Sequence, residues 1–174
     1  MRASRQCNVE AGTPVLAAVL TMIPGFIGLA TGQLMLFPSL GPTALMQAHH
    51  PEHKSSRTFN VIVSHVGGLL SGFLAVVIFG LARSPSVFAT HTLSLARVLA
   101  AGLAILLGTA IEVIFHAQHP PAAATTLLAA LGSFRPTMHD TADVLGGVII
   151  VAIAGNLARR LYYARALDTR PPDI

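Results

Sequence analysis

His119-Pro120-Pro121-Ala122-Ala123-Ala124-Thr125 decides how this chain folds. The triplet sits in apolar sequence, directly after a helix-length run that carries Glu112 and His116. Proline lacks an amide hydrogen and clashes with the preceding turn, so it ends a helix, yet it is favoured in the first turn of a new one. One membrane helix therefore stops here. A short one starts at Pro120 or Pro121 and runs to about Leu131, where Gly132 closes it. A helix start carries unpaired N–H groups and a partial positive charge. At membrane depth that is a place for something small and negative. The pattern recurs upstream in Ser39-Leu40-Gly41-Pro42-Thr43-Ala44, which predicts a second half-helix over 43–49 with Pro42 at its first position.

Outward from these two breaks the chain is membrane sequence. Of its 174 residues 53% are hydrophobic and 10% charged, against about 25% charged in soluble domains. Four apolar blocks, at 14–36, 60–82, 93–115 and 141–163, each reach the roughly 20 residues that a bilayer crossing takes. The expected fold is an all-α membrane protein with four transmembrane helices and two re-entrant half-helices. One membrane domain is expected at 13–163, between cytoplasmic tails at 1–12 and 164–174. The basic start, with Arg2 and Arg5, leads into an apolar run longer than a signal-peptide core, so that run is read as the first span. Cys7 is the only cysteine, which excludes an intrachain disulfide.

The net charge of +4 comes without a basic run interleaved with aromatics, so no nucleic-acid partner is expected. Topology explains the charge instead. With four spans, both termini and the 83–97 connection share one side, which holds Arg2, Arg5, Arg83, Arg97, Arg159, Arg160, Arg165 and Arg170. The other side holds Lys54, Arg57 and Arg135. The positive-inside rule then places both termini in the cytoplasm, and the chain is expected in the cell (inner) membrane.

An offset of 79 residues sets Pro42 on Pro121, Gly67-Gly68 on Gly146-Gly147 and Gln33 on Glu112. Span, half-helix and span recur in that order, as repeats at 13–82 and 92–163. Two full spans in each repeat predict the same orientation for both, about an axis along the membrane normal. Both half-helices would then enter from the non-cytoplasmic side and meet near the centre.

An anion reaching that centre would meet backbone donors around Gly41, Pro42 and Thr43 and around Pro120, Pro121 and Ala122. Ser39, Thr43 and Thr125 add hydroxyls, and His119 adds an imidazole. Asn60, His65, Glu112 and His116 are further polar groups in or near the spans. Such groups are costly there and face a bundle interior or a water-filled cavity. Glu112 and His116 are four apart, share a helix face and are placed to hydrogen-bond. An ionised Glu112 would repel an anion. It is therefore read as protonated, paired or turned away, with Glu112 or a histidine carrying a coupled proton.

Plainer roles stand beside these. Glu112 serves equally as an interhelical hydrogen bond, and Asp140 and Asp143 as caps on the last helix. His49, His50 and His53 lack the defined ligand set of a metal site and read as surface groups. No metal or cofactor is expected. The sequence holds no HExxH motif and no Ser or Cys nucleophile beside a base, so it is not read as an enzyme. The alternatives to a transporter are an accessory or structural membrane subunit and, behind it, a His/Glu-based membrane enzyme. Four spans enclose little space, and glycine-rich faces invite close packing, so a homo-oligomer, dimer or trimer, is expected.

Taken together, these blocks resemble the HPP family of integral membrane proteins, named for the triplet His119-Pro120-Pro121. Phe37-Pro38-Ser39-Leu40-Gly41-Pro42-Thr43-Ala44 resembles its Ser-x-Gly-Pro-Ser/Thr-Ala signature. Asn60 through His65 to Gly68 resembles the block that follows, with Ser64 where a glycine is common. The resemblance covers about 13–163. It implies four transmembrane helices and a transporter or channel for a small anion. Nitrite is the first candidate, because plant and cyanobacterial members are linked to its transport. The C-terminal CBS domains of some members are not expected within these 174 residues.

Overall fold

The computed structural model describes residues 2–168, with side chains over 12–161. Four long helices organise it: α1 (Arg2–Thr31), α3 (Thr58–Ile78), α5 (Leu95–Ile114) and α7 (Met138–Asp168). Each contains a window long and apolar enough to cross a membrane, namely Gly12–Thr31, Thr58–Ile78, Leu95–Ile114 and Met138–Leu161. Between them lie α2 (Leu40–His49), the single turn α4 (Val87–Thr90), α6 (Ala122–Ala130) and a 3-10 turn at Lys54–Ser56. No strand occurs among the described residues. The side chains of Arg2, Arg5, Cys7 and Arg165, and the Pro171-Pro172 tail with Arg170, lie outside the described residues.

Local chemistry sets the helix ends. Ser94 caps α5 by accepting from the Arg97 amide at 3.2 Å. Thr137 and Asp140 cap α7 reciprocally: the Asp140 amide donates to Thr137 Oγ1 at 3.2 Å, and Thr137 donates to the Asp140 carboxylate at 2.9 Å. α1 runs through Pro14 and Pro24 and extends back over the expected tail to Arg2. α2 starts three residues before the expected 43, so Pro42 occupies its third position, still within the first turn that tolerates proline.

α3 is the centre of the bundle. It packs on α5, α6 and α7, while α1 packs on α2 and α7, α2 on α7, and α5 on α6. Small residues make the approach close. A Cβ added at Gly68 would meet the Ala122 carbonyl and Thr126, and one at Gly72 would meet Ala129. Between α2, α3 and α7 the core is Leu40, Ala44, Val61, Leu69, Val144, Val148 and Val151, all buried.

The half-helices do not come back to the side they left. Beyond Thr31 the chain turns at Gly32 (φ 70°) and runs extended over 33–37. That stretch returns along α1, with Gln33 and Met35 against Gly28 and Leu36 against Gly25. α2 continues the same pass. The second half does likewise. The chain turns at His116 (φ 50°), runs back along α5, and α6 carries on until Arg97 in the first turn of α5 reaches the Ala130 carbonyl at 2.8 Å.

Measured against α3, the two half-helices part in opposite directions. Thr43 lies at His65, and the Met46 carbonyl lies at Ser56, just before α3 begins. Thr125 also lies at His65, but Ala129 lies at Gly72, nearer the end of α3. α7 follows α2, with Leu40 against Gly147 and Gln47 against Gly155, so it runs opposite to α3. The expectation of two same-orientation repeats with half-helices entering from one side does not fit these contacts. Each half makes three passes along the bundle, and an odd number of passes reverses the second half. The third pass escaped the apolar-block count because it is part extended and part short helix. As a result the 49–57 connection lies at the end of the bundle where α7 finishes, and the 83–97 connection lies at the other end.

Candidate functional site

The starts of α2 and α6 meet head to head beside His65, in a cluster sealed from the surface. Ser39, Thr43, His65, His119 and Thr125 are each 0% exposed. Ser39 Oγ and Thr125 Oγ1 are 2.6 Å apart, and Thr125 Oγ1 lies 2.7 Å from His65 Nδ1. Thr43 Oγ1 lies 3.0 Å from His65 Nε2, 3.1 Å from His119 Nε2 and 3.0 Å from the Ser39 carbonyl. The two imidazole rings are tilted at 51° with centroids 5.3 Å apart. His119 Nδ1 lies 2.8 Å from the Ser55 carbonyl. A carbonyl only accepts, so the His119 hydrogen sits on Nδ1 and the neutral ring offers Nε2 as an acceptor.

The chain itself engages several of the amides that the sequence offered to an anion. The Thr43 amide donates to the Ser39 carbonyl at 3.4 Å, Ala122 to His119 at 2.9 Å and Ala123 to Pro120 at 3.1 Å. Pro121 is the N-cap of α6 with helical dihedrals, φ −57° and ψ −24°. Gly41 and Pro121 are half-buried, Ala122 is buried, and Pro42 and Pro120 are exposed.

Asn60 and Glu112 lie next to this cluster and support the broken backbone. An extended segment at membrane depth leaves carbonyls and amides that must find partners. Ser64 donates to the Ala117 carbonyl, and Asn60 Nδ2 donates to the Gln118 carbonyl at 3.3 Å. Glu112 shares a cavity wall with Ser64, and its backbone carbonyl accepts from the Ala117 amide at 2.9 Å. In the other half the Asp143 carboxylate accepts from the Leu34 amide at 3.2 Å, and the 79-residue offset sets Ser64 on Asp143. Asp143 thus holds the returning extended segment as well as lying in the first turns of α7. His116 stands apart: α5 ends at Ile114, and His116 occupies the exposed turn beyond. Beside Glu112 lies a cavity of about 220 Å³, lined among others by Ser64, Gly68, Gly108, Thr109, Ala123 and Thr126.

Three residues with a part in this architecture were not among the sequence candidates. Ser55, in a polar connection, supplies the carbonyl that fixes the His119 tautomer, and a backbone acceptor leaves no mark in sequence. Arg97, counted there as a topological charge, is 3% exposed. It donates to the carbonyls of Ala130, Ser84 (3.2 Å) and Pro85 (3.1 Å), tying the end of α6 to the loop before α5. Gln47 is 2% exposed, and neither of its amide atoms has a hydrogen-bond partner among the described residues. Its position one face along α2 from Thr43 was the available signal. Among the described residues no three His, Cys, Asp or Glu side chains form a metal-holding group.

A family model described as "HPP, transmembrane region" matches residues 5–167, and the chain belongs to that family. No match was found among curated proteins or among solved structures.

Proposed function

We propose that this HPP-family protein moves a small inorganic anion across the cell membrane, nitrite being the first candidate. The observation that carries the reading is the sealed cluster of two imidazoles and three hydroxyls at the meeting point of two broken passes. Discontinuous helices in matching halves, facing each other near the midplane, are the usual frame of a transport site. The packing supports matching halves. Exchanging α1 with α5, α2 with α6 and α3 with α7 turns each major helix pair into another major pair and leaves α3–α7 as itself. Opposite helix directions make these inverted repeats, the symmetry that lets one closed site open alternately to either side.

Both termini are read as cytoplasmic. In the inverted arrangement the 49–57 connection joins the termini, so their side carries Lys54 and Arg57 with Arg2, Arg5, Arg159, Arg160, Arg165 and Arg170, against Arg83, Arg97 and Arg135. The chain is also read as a homo-oligomer, dimer or trimer. Only 22% of the spanning windows of α1 and α5 is buried, and Thr109 is exposed beside the half-exposed Glu112 on the face of α5.

Nitrite uptake by liposomes holding the purified protein tests the function, with protein-free vesicles as the control. Uptake driven by an imposed pH gradient is the expected result, and gradient-indifferent uptake would make the protein a channel or uniporter. Failure to carry nitrite, nitrate or formate would end the transport reading. It would favour a structural subunit, for which the complete burial of the cluster is the supporting feature.

A further inference from the structure

We propose that the His65–His119 cluster takes up one proton with each monovalent anion, making the transport an electroneutral symport. The inference rests on the anion-transport reading and adds its coupling and stoichiometry.

The argument is a count of hydrogens. Six short contacts hold the cluster: Ser39–Thr125, Thr125–His65 Nδ1, His65 Nε2–Thr43, Thr43–His119 Nε2, Thr43–Ser39 carbonyl and His119 Nδ1–Ser55 carbonyl. Each needs one hydrogen between its two heavy atoms. Three hydroxyls and two neutral imidazoles bring five. The deficit falls on Thr43, whose single hydrogen faces two acceptors, the Ser39 carbonyl and His119 Nε2. One proton added at His119 Nε2 completes the set. His119 then donates to Thr43, and Thr43 turns its own hydrogen to the Ser39 carbonyl. A second added proton would find no acceptor.

The geometry therefore holds a place for one proton, but not for its charge alone. The cluster is fully buried, and an unpaired buried charge is costly. It also lies at the positive ends of two helices, which disfavour a cation. A monovalent anion arriving with the proton cancels the charge, so the loaded site carries none across.

Among the neighbouring elements, α5 brings Glu112 to the cavity wall that it shares with Ser64. α7 brings Asp143, which is engaged with the Leu34 amide and lies 3.6 Å from His139. α6 has no titratable side chain, and His49 at the end of α2 and Lys54 in the 3-10 turn are exposed. Among the described residues Glu112 is thus the nearby group able to act as a resident counter-charge, and in that case the anion would move with net charge.

The test uses the full-length protein in liposomes with nitrite, a pH-sensitive dye inside and the potential set by a potassium gradient with valinomycin. An acid-outside gradient at zero potential is expected to drive uptake with one proton entering per anion. A potential of about 100 mV would hold roughly a 50-fold gradient of a singly charged species, yet it is expected to change accumulation less than about twofold. Thr43→Ser keeps the hydroxyl and should keep the coupling, whereas Thr43→Val should leave any remaining uptake indifferent to the pH gradient. His119→Gln should do the same. If it fails to fold, the potential measurement on the unaltered protein still decides. Uptake that follows the potential, or a ratio other than one proton per anion, overturns the symport while leaving anion transport standing. No uptake above protein-free vesicles overturns both.

Discussion

At the scale of single residues, the cost of leaving a polar group unpaired in an apolar interior does most of the explaining. Among the described residues Ser64 alone donates to the Ala117 carbonyl in the broken pass before α6. Ser64→Ala strands that acceptor and is expected to lower stability by about 1–3 kcal/mol, read as a drop in unfolding temperature in detergent. Arg97→Met is expected to cost more, about 3 kcal/mol or above, because three carbonyls lose their charged donor together. A substitution there no worse than one at an exposed residue would show that the loop before α5 does not depend on it. The sequence made these polar residues conspicuous, since ionisable groups are rare in apolar blocks. It did not pair them. Glu112 and His116 look like helix neighbours until α5 stops at Ile114 and a positive φ swings His116 away. His119 finds Ser55 and Thr43, 64 and 76 residues distant, through packing that no local pattern encodes.

At the scale of elements, the two proline breaks were legible and the passes they belong to were not. Proline marks where a helix cannot continue, so the starts of α2 and α6 follow from Pro42 and Pro121 within a few residues. The extended stretch at 33–37 has no comparable signal. What makes it stable is a smooth face on the neighbouring helix. A Cβ at Gly147 would collide with the Met35 carbonyl and come within 3.1 Å of the Phe37 ring. Gly147→Ala is therefore expected to destabilise by about 1–3 kcal/mol, since backbone must move to make room. At Gly102 in α5 an added Cβ meets nothing within 4 Å. Gly102→Ala should be neutral or stabilising by up to about 1 kcal/mol. Thermal unfolding of the pair separates close packing from helix propensity, and equal effects would argue against the extended stretch lying in the Gly147 groove.

At the scale of the molecule, charge bias alone could not reveal the reversed second half. Counting two passes per half puts Arg83 and Arg97 with the termini. Counting three puts Lys54 and Arg57 there instead. Two cations are exchanged for two, and the side of the termini keeps eight of the eleven Lys and Arg residues either way. The positive-inside rule therefore places the termini but is blind to the connections. Direct labelling is not. Glu52 and Ala89 are exposed in the two connections, so Glu52→Cys and Ala89→Cys, each in a Cys7→Ser background, report their sides to a membrane-impermeant maleimide. With cytoplasmic termini, three passes per half predict that Ala89→Cys reacts in intact cells and Glu52→Cys only after permeabilisation. Two passes per half predict the reverse pattern. Because the arrangements differ at both positions, a single swap of reactivity distinguishes a site shared by inverted halves from one approached by both half-helices from outside.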